Sequence, residues 1–177
     1  MNNKKGQVWI ETVIYILIGL TLIALVLTFV MPKINEQRDR LVIEQTIASL
    51  GFLDDKINEV IDTGKDNKRI VEFGMRKGEL YFDSDDDKIV FVLRELTKPY
   101  SEPGIKIPVG RVIVESVEER KTSVVNLTVQ YKNTANLSFE NQEIEKKFDS
   151  SVTPYKFSIE NKGILNNLHN IDIGEIS

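Results

Sequence analysis

An uninterrupted apolar run occupies the N-terminal part of the chain. From Thr12 to Met31 there is no Asp, Glu, Lys or Arg, and most positions hold Ile, Leu, Val, Phe or Ala. In an α-helix these 20 residues rise about 30 Å, which is the thickness of the hydrocarbon core of a bilayer. The pattern therefore predicts a membrane-spanning helix.

The segment after Pro32 repeats apolar residues at the spacing of one helix face. Such a stripe predicts an amphipathic helix whose apolar face has to be covered by a sheet. Thr63 and Gly64 mark the C-terminal end of this helix. Leu53 and Asp54 fall in a gap of the stripe, and Leu53 is close enough to join it. The residues of the stripe are Ile43, Ile47, Leu50, Ile57 and Val60.

Short segments with strand-like composition fill the rest of the chain, separated by Gly, Pro, Asn and Asp residues that favour turns. In residues 125–131, apolar and polar side chains alternate, as in an antiparallel sheet with one covered face. Pro108 has no amide donor and indicates an edge strand at 105–109. The residues after Gly163 are apolar enough to dock, and their secondary structure is left open. The other predicted strands are 69–73, 79–82, 88–96, 111–117, 137–139 and 155–159.

Together these elements predict an α+β fold. A long N-terminal helix, membrane-spanning in its first half and amphipathic in its second half, packs on an antiparallel β-sheet head domain. The chain has 177 residues, a length that suits one domain plus an anchor.

Composition narrows the possible functions. Removing Lys4, Lys5 and Glu11 from the net charge of −4 leaves −5 for residues 33–177. This sign argues against a nucleic-acid partner for the head domain, because nucleic-acid binding needs a basic face. The chain contains no cysteine, which excludes disulfides, iron–sulfur clusters and thiolate metal sites.

The residues before the apolar run do not fit an ordinary secretory signal. Such a signal has an apolar run of about 7–15 residues with a small-residue cleavage site behind it. Here the run is longer, and residues 31–35 behind it contain no small-x-small pattern. The small residue in a plausible cleavage context is Gly6, which lies before the run and follows two lysines.

Glu11 is an acidic residue just inside the apolar stretch. A carboxylate at the edge of a membrane helix is costly to bury and usually marks a function or a partner. The alternative is that Glu11 lies at the level of the lipid headgroups and complements the positive end of the helix dipole. Trp9 is most simply interpreted as an interfacial aromatic residue.

The order of Lys4, Lys5, Gly6 and Gln7, then Glu11 and an apolar helix, resembles the class III signal peptide of type IV pilin-like proteins. The Lys-Gly-Gln form is most similar to archaeal members, and the resemblance covers roughly the first 35 residues. It implies that a prepilin peptidase cuts between Gly6 and Gln7 on the cytoplasmic side and leaves the helix attached. It also implies that Glu11, then the fifth residue, meets the free amino group of a neighbouring subunit during assembly.

The resemblance further implies a topology that the charges alone do not settle. Basic residues occur on both sides of the apolar run, so the positive-inside rule gives nearly a tie. Only the resemblance places the N-terminus in the cytoplasm and the C-terminal domain outside the cell. The implied division is a leader at 1–6, a transmembrane helix at 7–31, its amphipathic continuation at 32–62, and an extracytoplasmic β-rich head domain at 63–177.

The function implied by the resemblance is structural. The chain would be a subunit of a type IV filament, with the membrane, a prepilin peptidase and other pilin-like subunits as its partners. An alternative is an uncleaved single-span anchor that presents a binding domain to the cell exterior, with no role for Glu11. A membrane-tethered enzyme is disfavoured, because the single histidine, His169, has no catalytic partner in its sequence neighbourhood and is interpreted as a surface residue.

Two further sequence patterns could mark sites but have simpler interpretations. A run of aspartates between two predicted strands could bind calcium through its oxygens, but it lacks the glycine and glutamate positions of an EF-hand loop. A solvated hairpin turn accounts for it more simply. Asn126 and Asn136 each begin an N-glycosylation acceptor pattern, which is compatible with an exterior location. The aspartates are Asp83, Asp85, Asp86 and Asp87.

Overall fold

The computed structural model describes residues 3–176, with side chains from Val8 onward. The chain divides into two compact units, Met1–Arg38 and Asp39–Ser177. In the described residues the elements are α1 (Asn3–Thr63), β1 (Lys68–Phe73), β2 (Glu79–Asp83), β3 (Lys88–Leu96), β4 (Lys106–Val109), β5 (Val112–Glu118), β6 (Ser123–Gln130), β7 (Ala135–Phe139), β8 (Glu145–Asp149), β9 (Tyr155–Leu165) and β10 (Leu168–Glu175).

The first unit is helical. Its most apolar 18-residue window has a mean hydropathy of 2.8, and none of that window is buried. Within the described residues, α1 is the one helix long and apolar enough to cross a membrane. Pro32 lies inside α1, so the predicted continuation of the helix through this position is confirmed.

In the second unit, the sheets cover the apolar stripe of α1. Ile47 is half-buried against the core, and the other predicted members are almost fully buried. Gly64 follows Thr63 with a φ of 93°, the left-handed conformation in which many helices end. The predicted end of the helix is therefore confirmed. The buried members of the stripe are Ile43, Leu50, Leu53, Ile57 and Val60.

Six strands form a fully antiparallel sheet in the order β4-β5-β6-β3-β2-β8. In β6, Leu127 is buried between the half-buried Asn126 and Thr128, which confirms the predicted alternation. β4 lies at one edge, where Pro108 is opposite Ile113 of β5. The edge position suits a residue that cannot donate a ladder hydrogen bond.

The other four strands form a second sheet, in the order β1-β9-β10-β7. β10 and β7 run parallel, so the expectation of one antiparallel sheet is corrected to two sheets with one parallel pair. The C-terminal tail supplies β10, whose connection to β9 is a two-residue turn. Asn166 and Asn167 in that turn have φ values of 50° and 65°, a conformation that asparagine tolerates. The sequence pattern also does not predict β8. Phe148 is its only buried residue, so the strand shows no apolar alternation.

One hydrophobic core joins α1 and both sheets. Between the sheets it is aromatic, and Phe157 of β9 contacts rings on two strands of the six-stranded sheet. Its ring centroid lies 5.1 Å from that of Phe82 on β2 and 5.0 Å from that of Phe148 on β8, both in edge-to-face contact. Such pairs add to the stabilisation by apolar burial. The α+β fold, a long helix packed on largely antiparallel sheets, is confirmed.

Candidate functional site

The exposed apolar surface of α1 is the first candidate functional feature. Trp9 is 71% exposed, and the large apolar side chains of the run behind it are exposed as well. Apolar surface of this extent is unstable in water and requires a bilayer or other apolar helices around it. The first unit therefore offers a surface suited to membrane insertion or to packing with further helices.

The threonine hydroxyls within this run are satisfied by the helix itself. The hydroxyls of Thr12, Thr21 and Thr28 donate to the carbonyls four residues earlier, at distances of 2.8–2.9 Å. A hydroxyl that is hydrogen-bonded inside the helix carries little penalty in a medium without water. The threonines thus leave the apolar surface intact.

The predicted processing and assembly residues lie at the start of α1. Glu11 has an exposed side chain on the first unit. Lys4, Lys5, Gly6 and Gln7 are helical in backbone, and their side chains are outside the described residues, as are Met1 and Asn2 of the leader. Cleavage after Gly6 and the role of Glu11 therefore stay predictions.

A buried carboxylate fixes α1 to the six-stranded sheet. Asp54 is only 2% exposed and accepts a hydrogen bond of 2.7 Å from the Tyr131 hydroxyl. Arg111, in the β4–β5 turn, places its Nε 3.2 Å from the same carboxylate. Burial, followed by the neighbouring Asp54 carboxylate, raises the pKa of Tyr131 far above its ordinary value. Tyr131 therefore remains a donor at every physiological pH.

Asp39 holds the beginning of the helix in the second unit. Its carboxylate accepts hydrogen bonds of 2.7 Å from both the backbone N–H and the hydroxyl of Thr97. Lys77 Nζ lies 3.1 Å away. Burial acts to raise the pKa of Asp39, but the bonds from Thr97 and Lys77 outweigh it and hold the pKa below its usual value.

The end of α1 is held by the four-stranded sheet. The side-chain amide of Asn161 on β9 donates to the Val60 carbonyl at 3.1 Å, and Arg69 on β1 lies 2.8 Å from Glu59. The helix is thus fixed at its start, middle and end in the second unit. The contacts of Asp39, Asp54, Glu59 and Val60 with the rest of the second unit were not predicted from the sequence. Only the contact of Asp54 had any sequence signal, because Asp54 lies beside the buried stripe.

The acidic run between β2 and β3 forms a turn. Lys88 Nζ lies 3.0 Å from Asp83 and 2.5 Å from Asp86, and Asp87 accepts a 2.8 Å hydrogen bond from the Leu137 N–H. Burial raises the pKa of Asp87 above its usual value. In the described residues no three acidic, histidine or cysteine side chains form a group that could hold a metal, so Asp83, Asp85 and Asp87 are not brought together as calcium ligands.

The remaining candidates lie on strands. His169 is half-buried on β10, and in the described structure its buried Nδ1 has no hydrogen-bond partner. Asn126 is half-buried on β6 between Val92 and Glu115 of the adjacent strands. Asn136 is half-buried on β7. The geometry does not test glycosylation at either asparagine.

No protein-family model matches the chain, and comparison with curated proteins and with solved structures finds no match. A function must therefore be inferred from the structure of this chain alone. The chain combines an exposed apolar helix with a second unit whose own core is closed by α1 and two sheets.

Proposed function

We propose that this protein is a structural subunit of a type IV filament, cut after Gly6 and assembled through its apolar N-terminal helix. The observation that carries the proposal is the exposed apolar surface of α1, none of which is buried in its most apolar window. The same helix continues into a unit that is complete without that surface. A subunit that inserts in a membrane and later packs with other subunits needs both an exposed apolar helix and a domain whose core is closed without it.

Glu11 is the residue proposed to direct assembly. Processing after Gly6 would give Gln7 a free, positively charged amine. In a bundle of apolar helices a carboxylate is costly to bury, and an amine of a neighbouring subunit would neutralise it. Glu11 therefore favours packing in one register, in which its carboxylate meets the Gln7 amine of the next subunit.

The head domain is proposed to face the cell exterior and to form the outer surface of the filament. The contacts of Asp39, Asp54 and Asn161 support this role, because they fix α1 to the sheets at three points. These contacts make the segment of α1 from Asp39 onward part of the head domain. The filament's task, such as adhesion, secretion, DNA uptake or motility, would depend on the head surface.

The deciding experiment is the mass of the mature chain from its native host. A chain that begins at Gln7 supports prepilin-type processing, and the matched Gly6→Leu variant is then expected to stay uncut. A chain that begins at Met1 or Asn2 in the wild type would overturn the proposal. Normal processing of Gly6→Leu would overturn the assigned cleavage site.

The second candidate is an uncleaved anchor with a binding domain. A groove of about 630 Å³ beside α1 in the second unit favours this candidate, since ligand sites are usually concave. It predicts an intact N-terminus and no effect of Glu11 substitutions. The same mass measurement therefore separates the two candidates.

A further inference from the structure

The groove in the second unit lies between α1 and two loops. Gln45, Thr46 and Ser49 of α1 line one side, and the β1–β2 and β8–β9 loops line the other. The two loops are joined by the Ser151 N–H, which donates to the Met75 carbonyl at 2.8 Å. This hydrogen bond holds both loops in place beside the groove.

The charges that line this groove have one sign. They are Arg76 and Lys77 of the β1–β2 loop, and no acidic residue of the described chain lines the groove, although residues 33–177 carry a net charge of −5. Lys77 is paired with Asp39 at 3.1 Å. Arg76 is exposed and forms no ion pair in the part of the chain that the structure describes. The groove therefore presents an unneutralised cation to its surroundings.

An apolar side chain stands beside this cation. Val152 in the β8–β9 loop is 90% exposed, more than any other exposed large apolar residue of the described chain. The loop is ordered by hydrogen bonds on both sides of Val152, since Ser151 also accepts a bond of 3.2 Å from the Thr153 N–H. The side chain of Val152 is thus held toward the solvent at the groove, where it would contact a bound partner.

The chain connects this surface closely to the apolar run. Asp39, which is paired with Lys77, follows Met31 by eight residues. Even fully extended, eight residues span at most about 28 Å. If the apolar run lies in a bilayer, its headgroups are within reach of the groove. Such a short tether gives a high effective concentration, so weak contacts suffice for docking.

We propose that Arg76, Lys77 and Val152, together called the docking surface, bind the anionic headgroups of the membrane in which the chain is anchored. Arg76 binds the lipid phosphates, Lys77 stays paired with Asp39 beside it, and Val152 enters the boundary between headgroups and acyl chains. The inference rests on the membrane-anchoring helix of the proposed function. It requires neither cleavage after Gly6 nor filament assembly. It gives the second unit a preferred face toward the membrane before any partner binds.

The test uses the full chain in lipid vesicles. Because the chain has no cysteine, Val152→Cys can carry a single environment-sensitive fluorophore. The matched position is Ile164, which is 70% exposed and lies at the far end of β9 from this loop. We expect a blue shift and quenching by headgroup-level spin-labelled lipid for Val152→Cys in vesicles of equal parts phosphatidylcholine and phosphatidylglycerol. Ile164→Cys, and Val152→Cys in phosphatidylcholine alone, should show neither.

A charge variant tests the role of the groove. Arg76→Gln should lower the ratio of docked to undocked chains by about fivefold, as expected for one cation at an anionic surface. Lys65→Gln, an exposed cation just past the end of α1, should leave the ratio unchanged. Equal signals at positions 152 and 164, or in both kinds of vesicle, would overturn the proposal.

Two further measurements separate membrane docking from contact between copies and from loss of the anchor. A shift at position 152 that follows the protein-to-lipid ratio instead of lipid charge would show contact between copies of this chain, and would overturn membrane docking. Flotation of the chain with the vesicles after an alkaline wash reports anchoring separately. A chain that does not float contradicts the anchor of the proposed function, whereas a floating chain without the shift contradicts docking alone.

Discussion

At the residue scale, carboxylates on α1 make the contacts that position the helix in the second unit. Asp54 is the most buried of them and is joined to Arg111 and Tyr131. A charge that is removed from water needs all its hydrogen bonds, and loss of one partner costs more than the bond contributes. The Asp54 contacts are therefore sensitive to single substitutions.

Tyr131→Phe should destabilise the second unit by about 1–3 kcal/mol, because it removes the hydroxyl that donates to the buried Asp54. Urea unfolding of the full chain in detergent measures the change. The control is Tyr81→Phe, whose hydroxyl donates to the half-buried Glu79 at 3.0 Å and should matter much less. Equal effects of the two substitutions would contradict the importance of the Asp54 contact.

Asp39 makes a pH-dependent contribution to stability. Its folded-state pKa lies below the usual value of 3.8, so the contribution is present above that value and is lost as the pH falls through the folded-state pKa. Asp39→Ala should cost about 1–2 kcal/mol near neutral pH, and this cost should shrink progressively as the pH is lowered below the usual value of 3.8. Urea unfolding of wild type and variant at neutral pH and at a series of acidic pH values measures the difference. A cost of Asp39→Ala that stays constant over this pH range would reject the assignment of the pH dependence to Asp39.

The contacts of Asp54 could not be predicted from the sequence, although the stripe beside it could. The buried stripe of α1 is legible because its residues are three, four or seven positions apart. The partners of Asp54 are 57 and 77 residues away, and no local pattern indicates which distant side chains meet. The neighbouring Leu53 could be assigned to the core from spacing alone, whereas an acid beside the stripe is usually solvated.

At the element scale, tight turns set the register of the strands. Gly78, before β2, has a φ of 98°, and a Cβ there would lie 2.4 Å from the Phe91 ring and 2.8 Å from the Val92 carbonyl. Gly78→Ala should cost about 2 kcal/mol or more, because it combines backbone strain with overpacking. Gly74→Ala is the control, since nothing lies within 4 Å of its added Cβ. Thermal unfolding compares the two, and similar melting temperatures would show that the β1–β2 loop adapts.

The helix itself carries the assembly prediction. Glu11→Gln should still insert in the membrane, because it lowers the cost of burial, but it should assemble poorly because it cannot neutralise an amine. Filament yield by electron microscopy and membrane content by fractionation measure the two steps. Glu44→Gln makes the same change on the exposed face of α1 beside Arg40 and should assemble normally. Wild-type filament yield from Glu11→Gln would reject the role of Glu11.

The elements also differ in how much of them the sequence reveals. β6 and β9 alternate apolar and polar residues, so their existence and their buried faces could be predicted. β8 is mostly charged, and it forms because Phe148 joins the aromatic group between the sheets. β10 depends on a turn of two asparagines, which is a weaker signal than Asn-Gly. Its parallel pairing with β7 is a long-range contact that no periodicity encodes.

At the scale of the whole molecule, the two units have different sources of stability. The core of the second unit draws on α1 from Ile43 onward and on both sheets, and no core residue comes from the described part of the first unit. The first unit contributes helical hydrogen bonds, the exposed Lys33–Glu36 ion pair and an apolar surface that a bilayer or neighbouring helices stabilise. The second unit should therefore fold without the first.

A chain that begins at Lys33 tests this independence. It keeps the Lys33–Glu36 ion pair and the Asp39 contacts, and it lacks the apolar run. Its free energy of unfolding in urea should lie within about 1 kcal/mol of that of the full chain in detergent, because exposed pairs and helix ends contribute little. A larger loss, or a fragment that unfolds without cooperativity, would show that the first unit contributes to the fold. If the fragment is stable, the apolar helix is available for the membrane and for assembly, since folding of the rest does not require it.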